Sequence, residues 1–238
     1  MEEKHGKLIL VPVGLSMEAV HVIPKYVTSS IEHLDHFAIE NIKTARRFLR
    51  RMGYRGDFDS CEFYEIGKHG THRDTDLAIE ALKSGKDVGL LSEAGMPGIA
   101  DPGGKLVLKA HRAGIKVWPL VGPSSILLAL VASGFNGQSF SFHGYLPIDK
   151  RERQAKLKQL ESWARGGQTQ IFMETPFRNR GIMEDLAKHL NPETLVCIAA
   201  DITTESESIR TMSVSDWKKD KEDFHKRPAI FLIGHDRY

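Results

Sequence analysis

The 238-residue sequence has only two cysteines, Cys61 and Cys197, far apart and without Cys-x-x-Cys or Cys/His ligand spacing. That argues against a disulfide-stapled scaffold, and both thiols are expected to be free and buried, in a reducing compartment. No apolar run approaches the roughly 18 residues of a membrane span. The charged start Met1 to Gly6 runs directly into Leu8–Val11, without the pattern of a signal peptide. Charge of one sign is also scarce: 33 Lys and Arg against 31 Asp and Glu leave a net +2. So small an excess does not attract phosphate backbones in general, and a nucleic-acid partner requires a local patch. Low-complexity tracts and internal repeats are absent. What remains is an apolar share of 41%, ordinary for a globular, cytoplasmic protein with no membrane partner, and a length that suits two domains of roughly 110 to 120 residues.

Short apolar runs alternate with segments of helical period, the pattern of βαβ units around a parallel sheet. Strands are expected at Lys7–Val11, His36–Ile39, Cys61–Ile66, Asp87–Ser92 and Lys116–Val121. Helices are expected over Asp76–Ser84, stopped by Gly85, and from Pro102 to Gly114. Gly122-Pro123-Ser124-Ser125 then precedes an apolar helix, Ile126–Ala132, and marks a boundary between domains 1–121 and 122–238. The second half places strands at Phe140–Tyr145, Thr169–Glu174, Thr194–Ala200, Ser208–Val214 and Ala229–Gly234, with helices near Arg151–Ala164 and Asn179–His189. Several of these strands follow one another with no helix between them, so the second sheet is expected to be mixed. The fold class is α/β, in two α/β domains.

The most informative stretch leaves the apolar strand Val88–Leu91 as Ser92-Glu93-Ala94-Gly95-Met96-Pro97-Gly98-Ile99-Ala100-Asp101-Pro102-Gly103-Gly104. Glycines let backbone approach a ligand closely, and a strand-loop-helix context puts the loop at the carboxyl edge of a parallel sheet, where open α/β folds bind ligands. The alternative is a plain βα turn. Neither G-x-x-x-x-G-K-[ST] nor G-x-G-x-x-G occurs in it, which removes the common nucleotide-binding loops.

This loop resembles the signature of the tetrapyrrole-methylase superfamily, class III of the S-adenosylmethionine (SAM)-dependent methyltransferases. It is most similar to the branch that methylates a ribose 2′-hydroxyl of small-subunit ribosomal RNA. Pro12-x-Gly14, Gly122-Pro123-Ser124-Ser125, Gly144-Tyr145-Leu146-Pro147 with the basic Lys150-Arg151-Glu152-Arg153, and Glu174-Thr175-Pro176-Phe177-Arg178 agree with it in order and spacing. The resemblance implies a homodimer in which SAM occupies a cleft between the two α/β domains and leaves as S-adenosylhomocysteine. It implies Pro12, Gly14, Ser92, Glu93, Ala94, Gly95, Ile99, Ala100, Asp101, Ser124 and Ser125 around the methionine part. Thr175, Ala199, Pro228, Ala229 and Ile230 are implied around the adenine. Ribosomal RNA or the small ribosomal subunit is the implied partner; other RNA, a small molecule such as a tetrapyrrole, and SAM binding without catalysis remain alternatives.

The pattern breaks on the acceptor side. Where the branch carries Ala-Glu-Asp-Thr-Arg-Arg-Thr, this chain reads Ile39-Glu40-Asn41-Ile42-Lys43-Thr44-Ala45, and Glu93 replaces an aspartate. A sugar hydroxyl is a poor nucleophile near neutral pH, so methyl transfer to it calls for a base or a cation beside it. Glu40 and Glu65, each ending a strand of the first domain, and Lys43 are the catalytic candidates; ion-paired surface carboxylates are the alternative. Lys43, Arg46, Arg47 and Arg50 share a helical face that either holds phosphates or is simply solvated. His69 and His72 lack a companion ligand set, so no metal site is expected.

Overall fold

The computed structural model describes residues 5–67 and 72–236. The chain divides into two compact units at the Ser124–Ser125 junction. The first holds strands β1 (Lys7–Val11), β2 (His36–Ile39), β3 (Glu62–Glu65), β4 (Val88–Leu91) and β5 (Lys116–Pro119). Its helices are α1 (Lys25–Ile31), α2 (Ile42–Arg51), α3 (His72–Lys83) and α4 (Gly104–Arg112). All strand pairs are parallel, in the order β3-β2-β4-β1-β5.

Alternation along each strand feeds two cores. Ile9, Phe37, Ile39 and Leu91 meet Val27 and Ile31 of α1 and Ala45, Phe48 and Leu49 of α2. Their neighbours Leu8, Ala38, Val88 and Leu90 meet Ala78 and Leu82 of α3 and Leu106 and Ala110 of α4. Helices therefore cover both faces, which explains why β4 reads as an unbroken apolar run. Every β4 residue is buried.

The second unit contains α5 (Ser125–Ser133), β6 (Phe140–Tyr145), α6 (Lys150–Arg165), β7 (Thr169–Met173), α7 (Asn179–His189), β8 (Leu195–Ala200), β9 (Ser208–Ser213), α8 (Val214–Trp217) and β10 (Ala229–Gly234). The order is β6-β7-β10-β8-β9, with β6 and β7 parallel and the other pairs antiparallel. This is the mixed sheet that consecutive strands implied. Leu157 and Leu160 of α6 and Ile182 and Leu186 of α7 pack on Phe172, Ile198 and Phe231. Trp217 closes this core and donates its indole N–H to the Val196 carbonyl at 2.9 Å.

The two thiols differ in surroundings. Cys197 is buried, as expected, and burial pushes its pKa up to about 11. Cys61 is only half-buried and sits just before β3 rather than inside a strand, with Sγ donating to the Asp57 carbonyl at 3.2 Å. Its environment is a turn, which the apolar neighbours Phe58 and Phe63 concealed in the sequence. No helix among the described residues is long and apolar enough to cross a membrane.

Candidate active site

The parallel topology carries every candidate of the first unit to one sheet edge. Glu65 ends β3 and Glu40 follows β2. Ser92 and Glu93 follow β4, Pro12 and Gly14 follow β1, and Gly122 to Ser124 follow β5. Strand direction alone fixes this clustering, since all five strands point the same way.

Three of the loops then lock together. Val13 N–H donates to the Gly95 carbonyl at 2.9 Å, so the loop after β1 pairs with the loop after β4. A Cβ on Gly95 would come within 3.2 Å of both the Leu15 side chain and the Pro123 carbonyl. Gly95 also has φ +72°, a region costly for residues with a side chain. A Cβ on Gly122 would lie 2.1 Å from that of Pro12. Gly122→Ala is therefore expected to destabilise by about 1–3 kcal/mol through overpacking. In thermal unfolding, each kcal/mol lowers the midpoint by about 2–4 °C in a chain of this size.

Asp101 holds the far side of the β4 loop. Its carboxylate accepts from Gly98 N–H and Gly103 N–H, each at 2.8 Å. Burial raises its pKa, and those two N–H groups pull it back down. Between the anchors, Glu93, Ala94, Gly98, Ile99 and Ala100 are exposed, while Gly95 and Pro97 are buried. Ala100 takes φ +60°, a strained setting for a residue with a Cβ. Apart from chain neighbours and the backbone of its own helix, no atom of the described residues lies within 4 Å of a Cβ built on Gly98 or Gly104. The loop is thus pinned from behind and open in front.

Glu40 feels the charges of both Asp101 and Glu93. Burial raises the pKa of Glu40, with the neighbouring Asp101 and Glu93 charges adding to the effect and a bond from Glu93 N–H opposing it. Burial likewise raises that of Glu93, with the nearby Thr44 hydroxyl opposing the shift. Thr44 lies in the first turn of α2, whose N-cap Asn41 accepts from Thr44 N–H at 3.1 Å. The Asn41-x-x-Thr44 spacing marks the helix start in the sequence, whereas the nearness of Thr44 to Glu93 is not visible there, because it depends on β4 lying beside β2. Glu65 is half-buried on the neighbouring strand, its Cα opposite Ile39. Lys43 is exposed on α2, and no ion pair joins it to these carboxylates. His69 lies outside the described residues. Among the described residues, no group of three or more His, Cys, Asp or Glu is placed to hold a metal.

The candidates of the second unit share one edge of their own sheet. Ile230 lies between Met173 and Ala199, Ala229 lies opposite Ala200, and Asp201 N–H donates to the Pro228 carbonyl at 2.9 Å. Thr175 follows β7 at the same edge, its N–H bonded to Glu174 Oε1 at 2.8 Å. Arg227 anchors the strand start through Asp201 at 2.6 Å, Glu222 at 2.6 Å and the Ser206 carbonyl at 2.8 Å. Ser125 opens α5.

Comparison with known proteins identifies the family. Residues 21–217 match the family model described as Tetrapyrrole (Corrin/Porphyrin) Methylases. A protein of Pasteurella multocida (strain Pm70) named ribosomal RNA small subunit methyltransferase I is 31% identical over 229 residues, 95% of this chain and 77% of that one. Its namesake in Vibrio cholerae serotype O1 is 30% identical over 203 residues, 84% of this chain and 68% of that one. Among solved structures, the methyltransferase CobJ superposes with a TM-score of 0.63 at 20% identity, covering 97% of this chain and 95% of that chain. Cobalt precorrin-4 methyltransferase, CbiF, gives 0.61 at 13% identity, covering 96% and 94%. These two likenesses show the fold. The chain belongs to the tetrapyrrole methylase family, and it is a methyltransferase.

Proposed function

We propose that this protein transfers the methyl group of SAM to a ribose 2′-hydroxyl of small-subunit ribosomal RNA. The observation that carries the reading is the pinned, outward-open β4 loop beside three carboxylates. A sulfonium is a cation, and Glu40, Glu93 and Asp101 provide matching negative charge around the exposed backbone of Glu93 to Asp101. SAM fits this donor set, and when bound it supplies an electrophilic methyl group.

Gly95, Asp101 and Ser92, whose hydroxyl donates to the Gly95 carbonyl at 3.2 Å, hold the loop in shape, and Pro12 and Gly14 lie beside the cofactor in this reading. Glu93, Ala94, Ile99, Ala100, Ser124 and Ser125 lie along the methionine part in this reading. Thr175, Ala199, Pro228, Ala229 and Ile230 take the adenine. In-line displacement asks the enzyme mainly to align the acceptor oxygen and exclude water. Glu40 accepts the proton of the 2′-hydroxyl at its carboxylate. It is favoured over Glu65 because its neighbours Glu93 and Asp101 belong to the loop itself.

Ribosomal RNA, rather than a corrin or porphyrin precursor, is the acceptor because the relatives from Pasteurella and Vibrio carry that name over most of this chain. That substrate places the enzyme in the cytoplasm. A homodimer is part of the reading. Leu127, Val131, Tyr145 and Ile148 are exposed in the second unit, Ile148 at 81%, and self-association buries such side chains. Incubation with methyl-labelled SAM and, separately, small ribosomal subunits, bare rRNA and a tetrapyrrole panel tests the acceptor class. Label in ribosomal RNA supports the proposal; label only in a tetrapyrrole overturns it.

A further inference from the structure

Five cations lie on α2 between Lys43 and Arg51, and the structure divides them into two kinds. Arg46 lies over the rings of Phe58 and Phe63, at 5.5 and 5.0 Å, and donates to the Phe58 carbonyl at 3.2 Å. Arg50 stacks on Phe58 at 4.0 Å and donates to the Tyr54 carbonyl at 2.9 Å. Arg51 reaches the Met17 carbonyl. These three brace the helix against its flanking loops. Lys43 and Arg47 are both exposed, and among the described residues neither forms an ion pair, ring contact or side-chain hydrogen bond.

Helical spacing puts Lys43 and Arg47 one turn apart on the outer face, about 6 Å along the axis. They lie between the braced arginines in angle, so the helix presents a central pair of free cations within a positive surround. Helix stability does not explain Lys43, which sits in the first turn, where the helix dipole disfavours positive charge by roughly 0.3–1 kcal/mol. The placement relative to the site is informative. Asn41 caps α2 directly after Glu40, so the first turn of the helix, with Lys43 in it, starts at the carboxyl end of β2 where the candidate carboxylates gather.

We propose that Lys43 and Arg47 form a phosphate rail that guides a single RNA strand past Glu40. Two cations one helical turn apart suit neighbouring phosphates of a single strand, each neutralising one backbone charge. The chain has an almost balanced charge, and this is where a local patch substitutes for a global field. Lys43, a catalytic candidate by sequence, becomes an RNA-contacting residue. The inference rests on the RNA reading of the acceptor.

The test is the salt dependence of binding to a purified small-subunit rRNA transcript, measured for wild type, Lys43→Gln, Arg47→Gln, the double variant and Arg46→Gln. SAM binding and thermal unfolding are followed in parallel. The slope of log affinity against log salt is expected to shrink by about 0.7–0.9 per rail cation removed, and by roughly twice that in the double variant. Arg46→Gln is expected to lower the melting temperature and keep the wild-type slope. A double variant with an unchanged slope, on wild type that binds RNA, overturns the rail. Wild type that binds SAM but shows no salt-dependent affinity for the transcript overturns the RNA reading, and the rail with it.

Discussion

Asp101→Ala is expected to weaken SAM binding by roughly 100-fold in isothermal titration, with circular dichroism unchanged. The reasoning starts from the two N–H groups, Gly98 and Gly103, that end on its carboxylate at 2.8 Å. Hydrogen bonds to a charged acceptor contribute roughly 1.5–3 kcal/mol each. Losing both removes about 3 kcal/mol or more of preorganisation, and each 1.4 kcal/mol is a factor of ten in affinity. The strand core is untouched, because Val88 to Leu91 are buried independently of the loop. Undiminished affinity in a folded Asp101→Ala protein contradicts the assignment of the loop to the cofactor.

Glu40→Gln is expected to lower kcat by about 10²- to 10⁴-fold, the usual contribution of a general base, and to weaken SAM binding by a smaller factor, because Glu93 and Asp101 keep their charge. Glu65→Gln, under the same assay, is expected to stay near wild type. The pH behaviour follows from the direction of the Glu40 shift. Burial and the adjacent Asp101 and Glu93 raise its pKa above 4.5, so the base is proton-free only at higher pH than an ordinary glutamate. The acidic limb of the rate profile therefore lies above 4.5 and disappears in Glu40→Gln. Stability has the matching sign. The folded state holds this proton more tightly than the unfolded chain, so ionising Glu40 costs folding free energy as pH rises from the unfolded to the folded pKa. Glu40→Gln is expected to gain stability relative to wild type across that window. A variant with wild-type kcat removes Glu40 from the mechanism.

The strands were legible because short runs of apolar, β-branched and aromatic residues announce them, and β1, β2, β6 and β10 begin and end where the sequence places them. The first sheet is wholly parallel and the second mixed, as the spacing of helices between strands implies. Less visible were elements without a long apolar stripe. α1 follows Pro24 with only Val27 and Ile31 buried, and α8 is four residues long behind its Ser213 cap. Helix α4 begins at Gly104 rather than Pro102, because Asp101 holds the intervening residues in a turn.

At the site, strand direction made the common edge predictable, whereas the partners across it were not. The pairing of Val13 with Gly95, the packing of Gly122 on Pro12 and the nearness of Thr44 to Glu93 each depend on strand order, and β4 lies between β1 and β2 against the order of the chain. The arginines of α2 illustrate the same limit. Their spacing placed them on one face, but only the turn at Phe58 separates Arg46 and Arg50, which serve the fold, from Lys43 and Arg47, which stay free.

The most direct test of the central claim is to label small-subunit ribosomal RNA with methyl-labelled SAM and this protein, then hydrolyse the RNA in alkali. A methylated ribose 2′-oxygen cannot attack its own phosphodiester, so the account predicts the label in alkali-resistant dinucleotides, and its absence with Glu40→Gln. Label recovered in mononucleotides, or none in RNA from an enzyme that binds SAM, contradicts it.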